Sequence, residues 1–216
     1  MTLATDYLLG TLCEVCGVLL LTRNTSLRQA SIRLWALALI AAGMGSYAGG
    51  TFHGLQHALS PPVAALLWKM TTVSVGIAGC LLLAAGFSAA FSGQIRRWLI
   101  GGAVVKLAIY VVWMLGHDEF RFVIYDYGST LVILMLLALA GRLHGVHGHR
   151  AYIVSGIFVS IAAAGVQQSG IRLHEHFNHN DLMHVVQMGG MWLLYMGGAR
   201  LRDGTQISGG FDGRQP

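Results

Sequence analysis

Seven apolar runs, each near the roughly 20 residues that a bilayer-spanning helix needs, take up most of this chain. They cover about residues 5–22, 34–58, 62–88, 97–116, 119–141, 151–170 and 181–199. With 55% hydrophobic and only 11% charged residues in a length of 216, and a mean hydropathy of +0.61, an ordinary soluble domain is excluded. The spacing predicts an all-α fold, a polytopic seven-transmembrane-helix bundle over residues 1–202. A polar, glycine-rich tail over 203–216 is expected to be mobile.

The arginines orient the bundle. Arg23, Arg28 and Arg33 precede the second segment, Arg96 and Arg97 the fourth, Arg142 and Arg150 the sixth, and Arg200, Arg202 and Arg214 follow the seventh, ten on one side. Arg121 and Arg172 lie on the other. The positive-inside rule then puts the N-terminus outside and the C-terminus in the cytoplasm. The formal charge of +5 is spread over short loops, which gives topology and no nucleic-acid partner. Residues 1–6 lack a basic region and no small-residue cleavage signal follows, so the first segment is expected to remain. Cys13, Cys16 and Cys80 all fall inside apolar segments, which implies no disulfide framework; the Cys13-x-x-Cys16 pair reads as packing.

With this topology the histidines sort by side. His53, His57, His117, His174, His176, His179 and His184 fall at the outer face, whereas His144, His147 and His149 lie in a cytoplasmic loop that reads as a solvated basic segment. The densest polar stretch is HEHFNHNDLMHVVQM at 174–188, which runs from a loop into the last apolar segment. There Asn180, Asp181, His184 and Gln187 recur at spacings of three and four, on one helix face. Such a stripe in hydrocarbon must face the interior, a cavity or an ion. The competing reading is a wet interfacial loop.

In the second segment His53 and His57 are four apart, a spacing that can chelate a divalent ion, and His53 lies about 6 Å deeper. Glu14, Lys69, Lys106 and Asp126 fall inside predicted spans and are expected to find partners. Lys69 and Asp126 sit at the depth of His53 and His184 and are expected in one polar chamber with them. Glu14 and Lys106 are expected to neutralise each other. Gln167, Gln168 and Ser169 end the sixth segment at the same level. Nitrogen and carboxylate groups around an apolar pocket suit zinc, with His53, His179 and His184 as candidate ligands and Asp126 or Asp181 as candidate general base. Ser46, His57, Lys69, Gln168, Asn180 and Gln187 complete the candidate pocket. HEHFNH is not the HExxH of soluble metalloproteases. Small residues, with Gly50-x-x-x-Gly54 and the pairs 189–190 and 197–198, are expected to bring helices close.

On GTFHG ending segment two, Asp126-Tyr127-Gly128 in segment five and FNHNDLMH entering segment seven, the chain resembles an uncharacterised bacterial family of small seven-span membrane proteins over nearly all its length. That resemblance implies the bacterial inner membrane and no established activity. More distantly, a histidine ending span two and a histidine motif opening span seven look like the CREST superfamily, which includes alkaline ceramidases and adiponectin receptors. This second resemblance implies a zinc ion and hydrolysis of a lipid amide or ester. His53 matches the span-two ligand and His184 the second span-seven ligand. Asn180 stands where the first span-seven histidine belongs, Gly49 where a serine belongs, and segment three offers Lys69 and no aspartate.

The leading expectation is a zinc-dependent membrane hydrolase acting on a lipid from the bilayer. The alternative is a non-enzymatic receptor-like protein or an accessory subunit of a membrane complex with partner subunits. Haem held by His53 and His184, or a transporter, are weaker readings.

Overall fold

The computed structural model describes residues 2–171, 174 and 177–204; Arg172, Glu175, His176 and the tail from 205 lie outside the described residues. It is all-helical, with seven helices: α1 (Thr2–Leu27), α2 (Ala30–Leu55), α3 (Pro61–Ala90), α4 (Gly93–Leu115), α5 (Phe120–Leu139), α6 (His149–Ser169) and α7 (His179–Gly198). All seven apolar runs thus form helices, with ends displaced by a few residues. Two isolated β-bridges are the only extended pairings among the described residues.

Local chemistry sets the ends. α3 opens on Pro61 and Pro62, tolerated in a first turn where the missing N–H has no intrahelical acceptor. α6 runs between Gly148 (φ 84) and Gly170 (φ 67), left-handed positions that favour glycine. Six helices, α1 to α6, are long and apolar enough to cross a membrane. α7 misses that measure because its first turns carry His179, Asn180, Asp181 and His184.

Helices α1, α2 and α3 pack in sequence, α6 packs on α7, and α7 returns against α1 and α2; α5 bridges α3 and α6, while α4 stands outside, mainly on α3. Glycines permit the closest crossings. A Cβ at Gly43 would lie 3.0 Å from the Gly10 carbonyl oxygen on α1, and one at Gly190 would lie 2.8 Å from Ser160 Oγ on α6. The predicted Gly50-x-x-x-Gly54 face receives the start of α1. A Cβ at Gly50 would meet Asp6 Cβ at 2.7 Å, and one at Gly54 would meet Leu3 Cδ1 at 2.1 Å. Of the pair at 189–190, only Gly190 makes such a contact; a Cβ at Gly189 would meet open space.

The core lies toward the end of the bundle where the arginine-rich loops cluster. Leu20, Trp35, Leu134, Ile153, Ile157 and Leu194 are fully buried there. The chain after α7 seals this end. Val146 N–H donates to the Arg200 carbonyl (2.9 Å) and Arg202 N–H to that of His144 (3.0 Å). The Asp203 carboxylate accepts from Ala30 N and Ser31 N, each at 2.8 Å, satisfying first-turn amides of α2. Gly204, the last described residue, likewise donates its N–H to Ser88 O at 2.8 Å.

One expectation is corrected here. The RLHGVHGHR loop is not simply solvated, because His149 is buried with its ring nitrogens 2.8 and 2.9 Å from the Val146 and Leu143 carbonyl oxygens. His144 Nδ1 lies 2.7 Å from Ala89 O. Backbone carbonyls left over at the ends of the loop recruit these rings, which leaves fewer nitrogens for a metal.

Candidate functional site

The opposite half of the bundle is hollow. A cavity of about 530 Å³ is bounded by α1, α2, α3, α5, α6 and α7. Its wall is mostly apolar, and its polar groups gather where α1 and α7 begin and α2 ends.

Helix α7 is fixed there by its own first turn. Asn178 Oδ1 accepts from Asn180 N (2.8 Å) and Asp181 N (3.3 Å), while Asp181 Oδ2 accepts from Asn178 N (2.9 Å). This reciprocal capping box satisfies otherwise orphaned amides and holds the Asp181 carboxylate rigidly. His184, three residues on, then shares its face.

The partners come from α1. Asp6 Oδ1 lies 3.0 Å from His184 Nε2, both side chains more than nine-tenths buried. Thr5 Oγ1 lies 3.0 Å from His184 Nδ1 and 3.2 Å from Asp181 Oδ1. Asp6, His184, Thr5 and Asp181 therefore form one chain of polar contacts between two helices that are 176 residues apart in sequence at Thr5 and Asp181. The Thr5 hydroxyl has one hydrogen and several acceptors within reach, including Thr2 O at 3.1 Å. Hydrogens can be reassigned along this chain without moving a heavy atom, which is what a proton relay requires.

Of this chain, Asp6 and His184 line the cavity; Thr5 and the fully buried Asp181 lie behind them. His53 lines the facing wall, within electrostatic reach of His184 and Asp181. Ser46, Asn180 and Gln187 also line it, and Gln187 Nε2 donates to Ser160 Oγ at 3.1 Å. These five predicted residues thus meet in one space.

Other predicted residues lie elsewhere. Asp126 turns to α4, where Lys106 Nζ pairs with its carboxylate and donates to its carbonyl at 2.9 Å. Lys69 pairs with Asp118 at 2.7 Å and donates to the Met114 and His117 carbonyls, at the turn between α4 and α5. The expected pairing of Glu14 with Lys106 is therefore replaced, and neither Lys69 nor Asp126 reaches the chamber. The reason is the outlying position of α4, which offers each charge a nearer partner than the cavity does. His57 follows the end of α2 at Leu55 and is exposed, so the His53/His57 chelating pair does not form. Gln168 is exposed and its neighbour Gln167 takes the cavity position. His179 is half-buried beside the capping box and does not line the cavity; among the described residues its Nδ1 has no partner.

Thr5 and Asp6 are missed by sequence reasoning. The available signal is that Asp6, like the four ionisable residues considered, falls inside an apolar segment. The expected zinc set is incomplete in this arrangement. Only His53 and His184 of it share the cavity, both ring nitrogens of His184 face protein atoms, and no three His, Cys, Asp or Glu side chains converge to hold a metal among the described residues.

Residues 1–203 match a family of unknown function (DUF6962), and the chain belongs to that family. No curated protein and no solved structure matches it.

Proposed function

We propose that this family member is a multi-pass protein of the bacterial inner membrane, N-terminus outside and C-terminus cytoplasmic, whose hollow half takes up an amphipathic molecule from the bilayer. The membrane reading draws support from six long apolar helices and from side chains such as Trp98, Val112, Leu115 and Phe158, all more than two-thirds exposed on helix surfaces. The orientation draws support from the ten arginines on one side.

The observation that carries the binding function is the cavity's form. It has one polar end, an apolar remainder, and a volume within the ~300–1,000 Å³ of small-molecule pockets. Val132 of α5 and Ile161 of α6 line it yet are 52% and 49% exposed, so the space opens sideways between those helices, where lipid would lie. Gly128 also lines it, and a Cβ there would meet nothing within 4 Å. Native mass spectrometry of the protein extracted in mild detergent tests this. The wild type is expected to retain an amphiphile that Gly128→Trp, with its bulk in the opening, does not. A wild type that carries none, or a variant that carries it equally, would overturn the reading.

A second reading keeps zinc and hydrolysis of a lipid amide or ester, favoured by one observation: His53, His184 and Asp6 face one space. It requires His184 to release Asp6 or Thr5. Metal analysis of untagged protein, purified without added zinc, is expected to give one zinc per chain if this holds; a metal-free protein would remove it.

A further inference from the structure

We infer that the turn between α5 and α6 binds an anionic phospholipid of the cytoplasmic leaflet, with Arg142 and Arg150 receiving its phosphate and an acyl chain lying along the α5–α6 seam. This rests on the membrane placement proposed above and not on what fills the cavity. Two exposed arginines flank Gly141. Arg150, in the first turn of α6, donates from Nη2 to the Gly141 carbonyl at 3.2 Å, and the Arg142 guanidinium lies 5.9 Å from the centre of the Phe91 ring. Both are held by neutral groups, and among the described residues no carboxylate pairs with either. A guanidinium keeps its charge and carries five N–H donors in a fork that matches phosphate oxygens, so each arginine retains donors for an anion.

The surroundings favour the same partner. The loops and tail on this side carry ten arginines against two acids, Asp203 and Asp212. Asp203 is taken up by the Ala30 and Ser31 amides, and Asp212, outside the described residues, can offset only one arginine. Toward the membrane centre the surface turns apolar. Val132, Leu136 and Leu139 share a face of α5 at spacings of four and three, and Phe158 lies two turns from Arg150 on α6; all four hydrophobic side chains are more than half exposed. From Leu139 to Val132 this strip runs about 10 Å, at 1.5 Å per residue, and ends where the cavity opens sideways. A cationic end above an apolar strip complements a phospholipid's head and chain together. A soluble anion would use the arginines and leave the strip bare.

The test titrates the full chain in maltoside micelles with dioleoyl phosphatidylglycerol and dioleoyl phosphatidylcholine, which share their tails, and reads binding by native mass spectrometry. Each arginine engaged is expected to favour the anionic lipid about fivefold, so the two together about 25-fold. Arg142→Gln with Arg150→Gln is expected to bring the two lipids within about twofold of each other, whereas Arg96→Gln with Arg97→Gln, on the same side at α4, keeps the preference. Equal loss in both pairs would replace this site by a diffuse basic face. Equal binding of the two lipids by the wild type overturns the inference whether or not any variant folds. Gly128→Trp, which obstructs the cavity opening, is expected to leave the preference intact; its loss would move the lipid into the cavity and overturn the seam. Displacement of the lipid by millimolar inorganic phosphate would assign the arginines to a free anion instead. A protein that stays monodisperse without detergent would bring down the membrane placement itself, and this inference with it.

Discussion

The two ends of the bundle are built from the same helices and packed in opposite ways. At the end of the arginine-rich loops, Trp35 sits against Gly198, where an added Cβ would lie 2.4 Å from its ring, and Leu20, Ile153 and Leu194 fill the space between helices. At the other end Gly45 and Gly49 lie against Thr71 of α3, whereas Gly128 borders the cavity and an added Cβ there would meet nothing within 4 Å. Small residues therefore do not by themselves make a tight interior; what lies opposite them decides. The hollow end is held by the close approach of α1 to α2 at Gly50 and Gly54 together with polar contacts, Asp6 and Thr5 of α1 being joined to His184 and Asp181 of α7.

Five substitutions probe this contrast, read as thermal stability of detergent-solubilised protein. Trp35→Ala should have the largest effect, a loss of about 3–5 kcal/mol, because truncation in the filled end leaves a cavity that the neighbours cannot close. A loss below about 1 kcal/mol would mean that this end is not close-packed. Next comes Asp6→Ala, at about 1–3 kcal/mol, since it strands the buried His184 ring. Combining it with His184→Ala should cost clearly less than the two single losses added together; strict additivity would show that the pair does not interact.

Asp203→Ala removes the carboxylate from the first turn of α2 and should lose about 0.5–2 kcal/mol. An unchanged melting temperature would show that the segment after α7 does not fasten the filled end. Gly128→Leu should be smallest, within about 0.5 kcal/mol, because its side chain enters open space rather than a packed contact. A loss as large as that of Trp35→Ala would contradict the hollow end.

Much of the helical frame is legible in the sequence because a run of about 20 apolar residues is a local property and needs no knowledge of neighbours. The polar face of α7 is legible for the same reason, since Asn180, Asp181, His184 and Gln187 follow helical spacing. Charge pairing is not. Lys106 with Asp126, and Lys69 with Asp118, depend on where α4 docks, and two acids and two bases of similar depth permit other pairings. His57 is misjudged by a local detail, the end of α2 at Leu55.

By itself the chain determined that it would form seven apolar helices with a polar stripe on the last, because hydrophobic length and helical period are written in consecutive residues. Only the folded bundle decided that the stripe's partner is Asp6, near the far end of the chain. The approach of α1 to α2 at Gly50 and Gly54, and of α1 to α7, sets that contact, and such distances come from packing between helices.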